Sequence, residues 1–147
     1  MLDKKLIGTV LPPHTVAVEA GRLRFFAKAI GETNPVYLDE AAAQAAGYAS
    51  LPAPPTFLFC LEMEQPDPLA WLKVIGADLS RILHGEQSFR YFLPVCAGDQ
   101  LTFQTSISDM YDKKGGALEF VVRQTRVSNQ RGEHVADLTG SVVQRNG

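Results

Sequence analysis

Phe57-Leu58-Phe59-Cys60-Leu61-Glu62-Met63 gives a helix no polar face before Glu62. A helix that is apolar on every side is enclosed by other structure rather than laid on a surface. Pro55 and Thr56 stand immediately before it, and proline is tolerated in a first helical turn, where its missing N–H has no partner to lose. The remainder of the chain must therefore supply something that wraps around this segment.

The wrapping is legible downstream. Phe89, Tyr91 and Leu93 alternate with Ser88, Arg90 and Phe92, and Leu101, Phe103, Thr105 and Ile107 alternate with polar neighbours. A period of two marks strands with one buried face. Leu118 to Val127 and Val135 to Val143 supply two more strands, and the connections Ala97-Gly98-Asp99, Asp112 to Gly116 and Asn129 to Gly132 hold the residues that turns require. Upstream, Thr15 to Val18 reads as a short strand beside Pro12 and Pro13, which belong at an edge or in a turn. From Glu19 to Ile30, the residues Leu23, Phe26, Ala27 and Ile30 fall on one helical stripe, stopped by Gly31. A short helix is predicted over Asp39 to Ala46, with Glu32 to Tyr37 before it read as a loop, and Asp67-Pro68 reads as the N-cap and first position of another, carrying Trp71. Helices followed by strands predict an α+β chain with an antiparallel sheet. Four long strands around one enclosed helix define a hot-dog-like architecture, read as one domain over residues 1–147.

Composition narrows the function. With 14 basic and 16 acidic side chains the formal net charge is −2, and no basic run offers a footprint for nucleic acid. No stretch approaches eighteen consecutive apolar residues, and Met1-Leu2-Asp3-Lys4-Lys5 lacks an apolar signal core, which predicts a cytoplasmic chain without a membrane partner. Cys60 and Cys96 are the two cysteines, with no metal-ligand spacing and no disulfide framework; Cys60 reads as a buried, inert thiol. No glycine-rich dinucleotide fingerprint follows a strand, so neither a metal nor a bound cofactor is expected.

The densest group of chemical side chains is Ala29-Ile30-Gly31-Glu32-Thr33-Asn34-Pro35-Val36-Tyr37-Leu38-Asp39-Glu40. This segment resembles the hydratase motif of the MaoC-like dehydratase and hydratase family, roughly G-D-x-N-P-[LIV]-H-x-D, with Gly31, Asn34, Pro35, Val36 and Asp39 in frame. Glu32 occupies the family's Asp position and Tyr37 its His position. The segment Ala53-Pro54-Pro55-Thr56-Phe57 stands where active hydratases carry A-H-G, and with Pro94 to Leu101 it is similar to the FAS1-like, amino-terminal dehydratase branch, often the non-catalytic half of a double hot-dog.

The resemblance implies an acyl-CoA or acyl-carrier-protein thioester as ligand, and (3R)-3-hydroxyacyl dehydration or enoyl hydration as chemistry. It also implies edge-to-edge pairing, either as a homodimer or with a catalytic hot-dog subunit that brings Asp and His. Tyr37 is thereby a candidate catalytic residue with Glu32 and His84, although a tyrosine, whose ordinary pKa is about 10, is a poor replacement for a histidine that exchanges protons near neutrality. Three readings stay open at this point. The chain is the acyl-binding subunit of a heteromer; or a self-sufficient homodimeric hydratase using Glu32 with His84; or an acyl-CoA binding protein without turnover. His84 enters as a replacement acid/base because Glu86 lies two residues away, on the same face of a regular strand. Asn34, Pro55, Thr56 and Phe57 are the candidate substrate-binding residues, the last three at a helix start whose free N–H groups suit an oxyanion. His14 and His134 read as exposed.

Overall fold

Most of the alternating strand residues and the apolar helix assemble as expected in the computed structural model, which describes residues 2–146, but Phe92 and Leu93 lie beyond a strand that ends at Tyr91, and Tyr91 and Leu93 are exposed. A short strand β1 (His14–Ala17) precedes four long ones: β2 (Ile82–Tyr91), β3 (Gln100–Lys113), β4 (Leu118–Ser128) and β5 (His134–Arg145). They form one five-stranded sheet in the order β1-β3-β4-β5-β2, every pair antiparallel. Leu101, Phe103 and Ile107 of β3 and Val121 and Val127 of β4 turn inward and are buried, as period-two alternation requires. A bulge between Ile107 and Asp109 shifts the alternation of β3, so Met110 returns to the inner face and is buried there.

The four helices are α1 (Ala20–Ala29), α2 (Glu40–Ala45), α3 (Phe57–Glu62) and α4 (Ala70–Val74). The apolar segment that decides the fold is α3, and its Leu58 and Leu61 are fully buried among Leu101, Phe103, Val127 and Leu138. Each such leucine contributes about 1.5–3 kcal/mol by burial. A second cluster lies along the same sheet, where Trp71 and Leu72 of α4, with Ile75, pack on Ile107, Met110, Val121 and Val142. The hot-dog arrangement, a curved antiparallel sheet around a central helix, is thus the observed one.

Three local expectations are corrected. Ile30 is 53% exposed because α1 ends at Ala29 and Gly31 turns the chain at φ 73°, leaving Ile30 as a cap beyond the buried stripe of Leu23 and Ala27. Asp67 does not cap α4: it accepts the N–H of Leu69 at 3.3 Å and pairs with Lys73 at 2.9 Å, so it closes the turn before a helix that begins at Ala70. The stretch from Glu32 to Tyr37 is not wholly loop, since Pro35–Tyr37 forms a single 3-10 turn.

Candidate functional site

Gly31 turns the chain out of α1 into the motif loop, and the side chains there first serve the loop itself. One Glu32 carboxylate oxygen accepts the N–H groups of Thr33 and Asn34, at 2.9 and 2.8 Å. Asn34 caps the following 3-10 turn, its Oδ1 accepting the N–H of Val36 at 3.1 Å. Tyr37 points from that turn into an apolar cavity of about 300 Å³, shared with Tyr48, Pro55, Tyr91, Phe92 and Pro94. Burial, then the neighbouring Tyr48 and Glu32, raise the Tyr37 phenol above its ordinary pKa. Burial alone pushes Tyr91 up to about 12. Both phenols are therefore neutral hydrogen-bonding groups near pH 7, not bases.

A second groove, about 390 Å³, runs between α3 and β2 and is lined by Phe26, Thr56, Phe59, Cys60, His84 and Gln87, with Phe89 at its end. His84 meets the ring of Phe59 edge-on, with centroids 5.7 Å apart. The expected partnership with Glu86 fails because β2 is not regular. A bulge between His84 and Glu86 pairs His84 with Val142 but Glu86 with Ser141, which puts the two side chains on opposite faces of the sheet. Gly85 makes the bulge possible: a Cβ there would lie 2.6 Å from Ser141 Oγ and 3.2 Å from its carbonyl oxygen.

The remaining candidates divide between these surfaces. Pro55 borders the apolar cavity and Thr56 the His84 groove, whereas Phe57 is a core residue, 3% exposed, with its ring 5.0 Å from Phe26. The N–H of Phe57 already donates to the Pro54 carbonyl at 2.9 Å, and Pro55 has none, which shrinks the donor set at the start of α3. Glu32 lines neither cavity, and Tyr37 and His84 line different ones.

Sequence reasoning missed Gln87. Both polar atoms of its amide are buried without a partner, and the side chain lies across Gly140, where a Cβ would come within 2.8 Å of Oε1. The signal was present in its position two residues before Phe89, a polar side chain at an inward site. The two histidines read as exposed are not. His134 bonds Asp137 at 2.7 Å and packs on Phe92, and His14 stacks on Phe103 at 5.1 Å with its Nε2 buried. Burial pushes the Cys96 thiol above its ordinary pKa, away from nucleophilic use. Among the described residues no cluster of three or more His, Cys, Asp or Glu side chains is placed to hold a metal, and no helix is long and apolar enough to cross a membrane.

A fold of this topology, with a loop-borne tyrosine beside an apolar cavity, defines a class before it defines a family. Residues 5–138 match the family model described as "FAS1-like, dehydratase domain region", and the chain belongs to that family. The UPF0336 protein of Streptomyces avermitilis is 39% identical over 146 residues, covering 98% of this chain and 95% of the relative. The C-terminally truncated HadBC complex of Mycobacterium tuberculosis, a (3R)-hydroxyacyl-ACP dehydratase, includes a chain that superposes with a TM-score of 0.82 at 27% identity, over 94% of this chain and 96% of that one. The MaoC-like dehydratase of Rhodospirillum rubrum gives 0.71 at 26% identity, over 95% and 92%.

Proposed function

We propose that this protein is the acyl-thioester-binding hot-dog subunit of a (3R)-3-hydroxyacyl-thioester dehydratase or enoyl-thioester hydratase, and that a partner subunit supplies the Asp and His. The observation that carries the reading is the state of the motif loop. Its frame is intact and opens on an apolar cavity, yet its carboxylate holds the loop's own amides and its phenol stays protonated at neutral pH. Acid/base catalysis needs a group that exchanges its proton near the working pH. Here Tyr37, with Pro55 beside it, acts as an acyl-site wall, Asn34 holds the turn, and Thr56 with His84 borders a second stretch of the ligand path.

The need for a partner is supported at β2. It is an edge strand of ten residues, and Leu83, Tyr91, Phe92 and Leu93 on and just beyond it are 39–51% exposed. An uncovered edge with apolar side chains is a site for pairing with another chain. The HadBC similarity supports a heteromeric partner in particular, since that dehydratase is a complex of unlike subunits.

The test follows the conjugated enoyl-thioester absorbance with crotonyl-CoA and a longer enoyl-CoA. No turnover by the chain alone, and turnover once a hot-dog subunit bearing Asp and His is added, is the expected result. Robust turnover alone that Glu32→Gln or His84→Ala removes would establish the self-sufficient homodimer instead. Tight acyl-CoA binding with no catalysis alongside any partner would leave a pure binding protein.

A further inference from the structure

Glu62 is the one charged residue of the enclosed helix, and it is only 4% exposed. Its Oε1 accepts a hydrogen bond from the Thr125 hydroxyl at 2.5 Å, and Thr125 in turn shares a 2.8 Å bond with Thr105. Two residues along β4, on the same inward face, Arg123 is 9% exposed and lies under the indole of Trp71, 4.4 Å from the ring centroid. A buried cation and a buried anion in one neighbourhood ordinarily close on each other, because an unpaired buried charge costs several kcal/mol. These do not. Among the described residues no carboxylate oxygen lies within 4.0 Å of the Arg123 nitrogens, and its Nε is buried with no hydrogen-bond partner.

What separates them is space. A cavity of about 230 Å³ is lined by Glu62, Arg123 and Trp71 together with His14, whose Nε2 is the second orphaned buried nitrogen here. Its other walls include Pro12 and Val74, with the polar Gln65 and Thr105 and with Asp67, whose carboxylate is already paired with Lys73. The cavity is not one of those assigned to the thioester: it shares no lining residue with the Tyr37 cavity or the His84 groove.

We propose that this cavity is a binding site for a small zwitterion of the α-amino-acid type with a short apolar side chain. The ligand's carboxylate takes the Arg123 Nε–H, and its ammonium bonds to the Glu62 carboxylate. Its side chain lies against Trp71, Pro12 and Val74, and His14 Nε2 offers the remaining polar contact. A simple anion would satisfy Arg123 but face Glu62 across a few ångströms of low dielectric, and a simple cation would meet the reverse problem. Only a molecule with both charges relieves both groups at once. The volume admits several non-hydrogen atoms, since one water takes about 30 Å³ of liquid. Burial lowers the Arg123 pKa and Glu62 opposes that fall, which matches a guanidinium kept charged by a partner at a distance.

The protein reports on the site directly, because Trp71 is its single tryptophan. Tryptophan fluorescence of the full chain is titrated with L-valine, isobutyrate and isobutylamine, with thermal melts in parallel. A saturable change with L-valine, at least tenfold tighter than with either singly charged analogue, is expected, together with a raised melting temperature. Glu62→Gln and His14→Gln, both close to isosteric, are expected to weaken valine at least tenfold and a few-fold respectively, while their circular dichroism stays native. No saturable response to L-valine in the wild-type chain would overturn the proposal and leave a water-filled cavity. Isobutyrate or isobutylamine binding as tightly as valine would overturn the zwitterion assignment. Valine affinity unchanged in a natively folded Glu62→Gln chain would do the same.

Discussion

The two ends of α3 face cavities of opposite character. At its start, Pro55 and the neighbouring tyrosines Tyr37, Tyr48 and Tyr91 enclose an apolar space with no charged side chain in its lining. At its end, Glu62 and Arg123 sit almost fully buried around a space they do not close. One sheet supports both, so the difference comes from side chains and not from backbone. The lesson is that an uncharged wall suits an acyl chain, while a pair of separated charges specifies something small and polar. A single hot-dog unit accommodates both because six residues of helix keep the two spaces apart.

The largest test of that contrast removes the charges. Glu62→Leu or Arg123→Met, made singly, is expected to destabilise the fold by up to about 3 kcal/mol, since each removes the attraction between two buried charges that are not in contact, and Glu62→Leu also strips the Thr125 hydroxyl of its acceptor. The double variant is expected to cost less than the sum, and urea denaturation of the four proteins gives the coupling directly. Additive losses would show that the two groups do not sense each other. At the other end, replacing Tyr37 by Phe removes no charge and is expected to cost about 1 kcal/mol or less.

A smaller effect is expected at Gly85. Gly85→Ala forces a methyl group against Ser141 and Val143, and overpacking of this kind costs roughly 1–3 kcal/mol. Because the bulge decides which way His84 faces, the variant is also expected to change the His84 ring environment, read by its imidazole NMR signals. Unchanged His84 signals alongside a lowered denaturation midpoint would separate packing from orientation.

The smallest effect is confined to alkaline pH. Tyr91 has its pKa raised in the folded chain from 10.0 to about 12, so between those values the unfolded chain loses the phenol proton while the folded chain keeps it. Stability from this group is therefore complete below pH 10 and falls as pH rises towards 12, with the size damped by the solvent that reaches a half-exposed ring. Tyr91→Phe is expected to remove that part of the alkaline destabilisation and to delete a late-titrating phenolate from the ultraviolet difference spectrum.

The fold was largely readable because its determinants are local. Period-two alternation marked β3 and the end of β2, apolar stretches between turn residues marked β4 and β5, the lack of a polar face marked α3, and glycines marked the turns. The motif loop was also readable, since Gly31, Asn34 and Pro35 act on their own backbone. What escaped detection depends on register and on depth. A one-residue bulge at Gly85 reversed the facing of Glu86 relative to His84, and no property of the residue types Leu83-His84-Gly85-Glu86 states which strand will lie opposite. Glu62 looked like the polar end of a helix because nothing before it reveals that Thr125 and Arg123, more than sixty positions away along the chain, lie beneath it. His14 and His134 were misjudged for the same reason: turns and prolines beside them suggest solvent, but Phe103 arrives from β3 and Phe92 from just beyond β2.

The strand order carries a consequence for how the chain is made. β2 is the second strand synthesised, but its only neighbour in the sheet is β5, the last. On the ribosome, β3 and β4 can form their hairpin as soon as they emerge, whereas β2 and the apolar residues that follow it wait for all of β5. At ordinary elongation speeds that wait lasts roughly three to ten seconds. During it both flanks of β2 are unpaired, so the folding chain spends its most adhesive interval with this segment open to whatever strand arrives first.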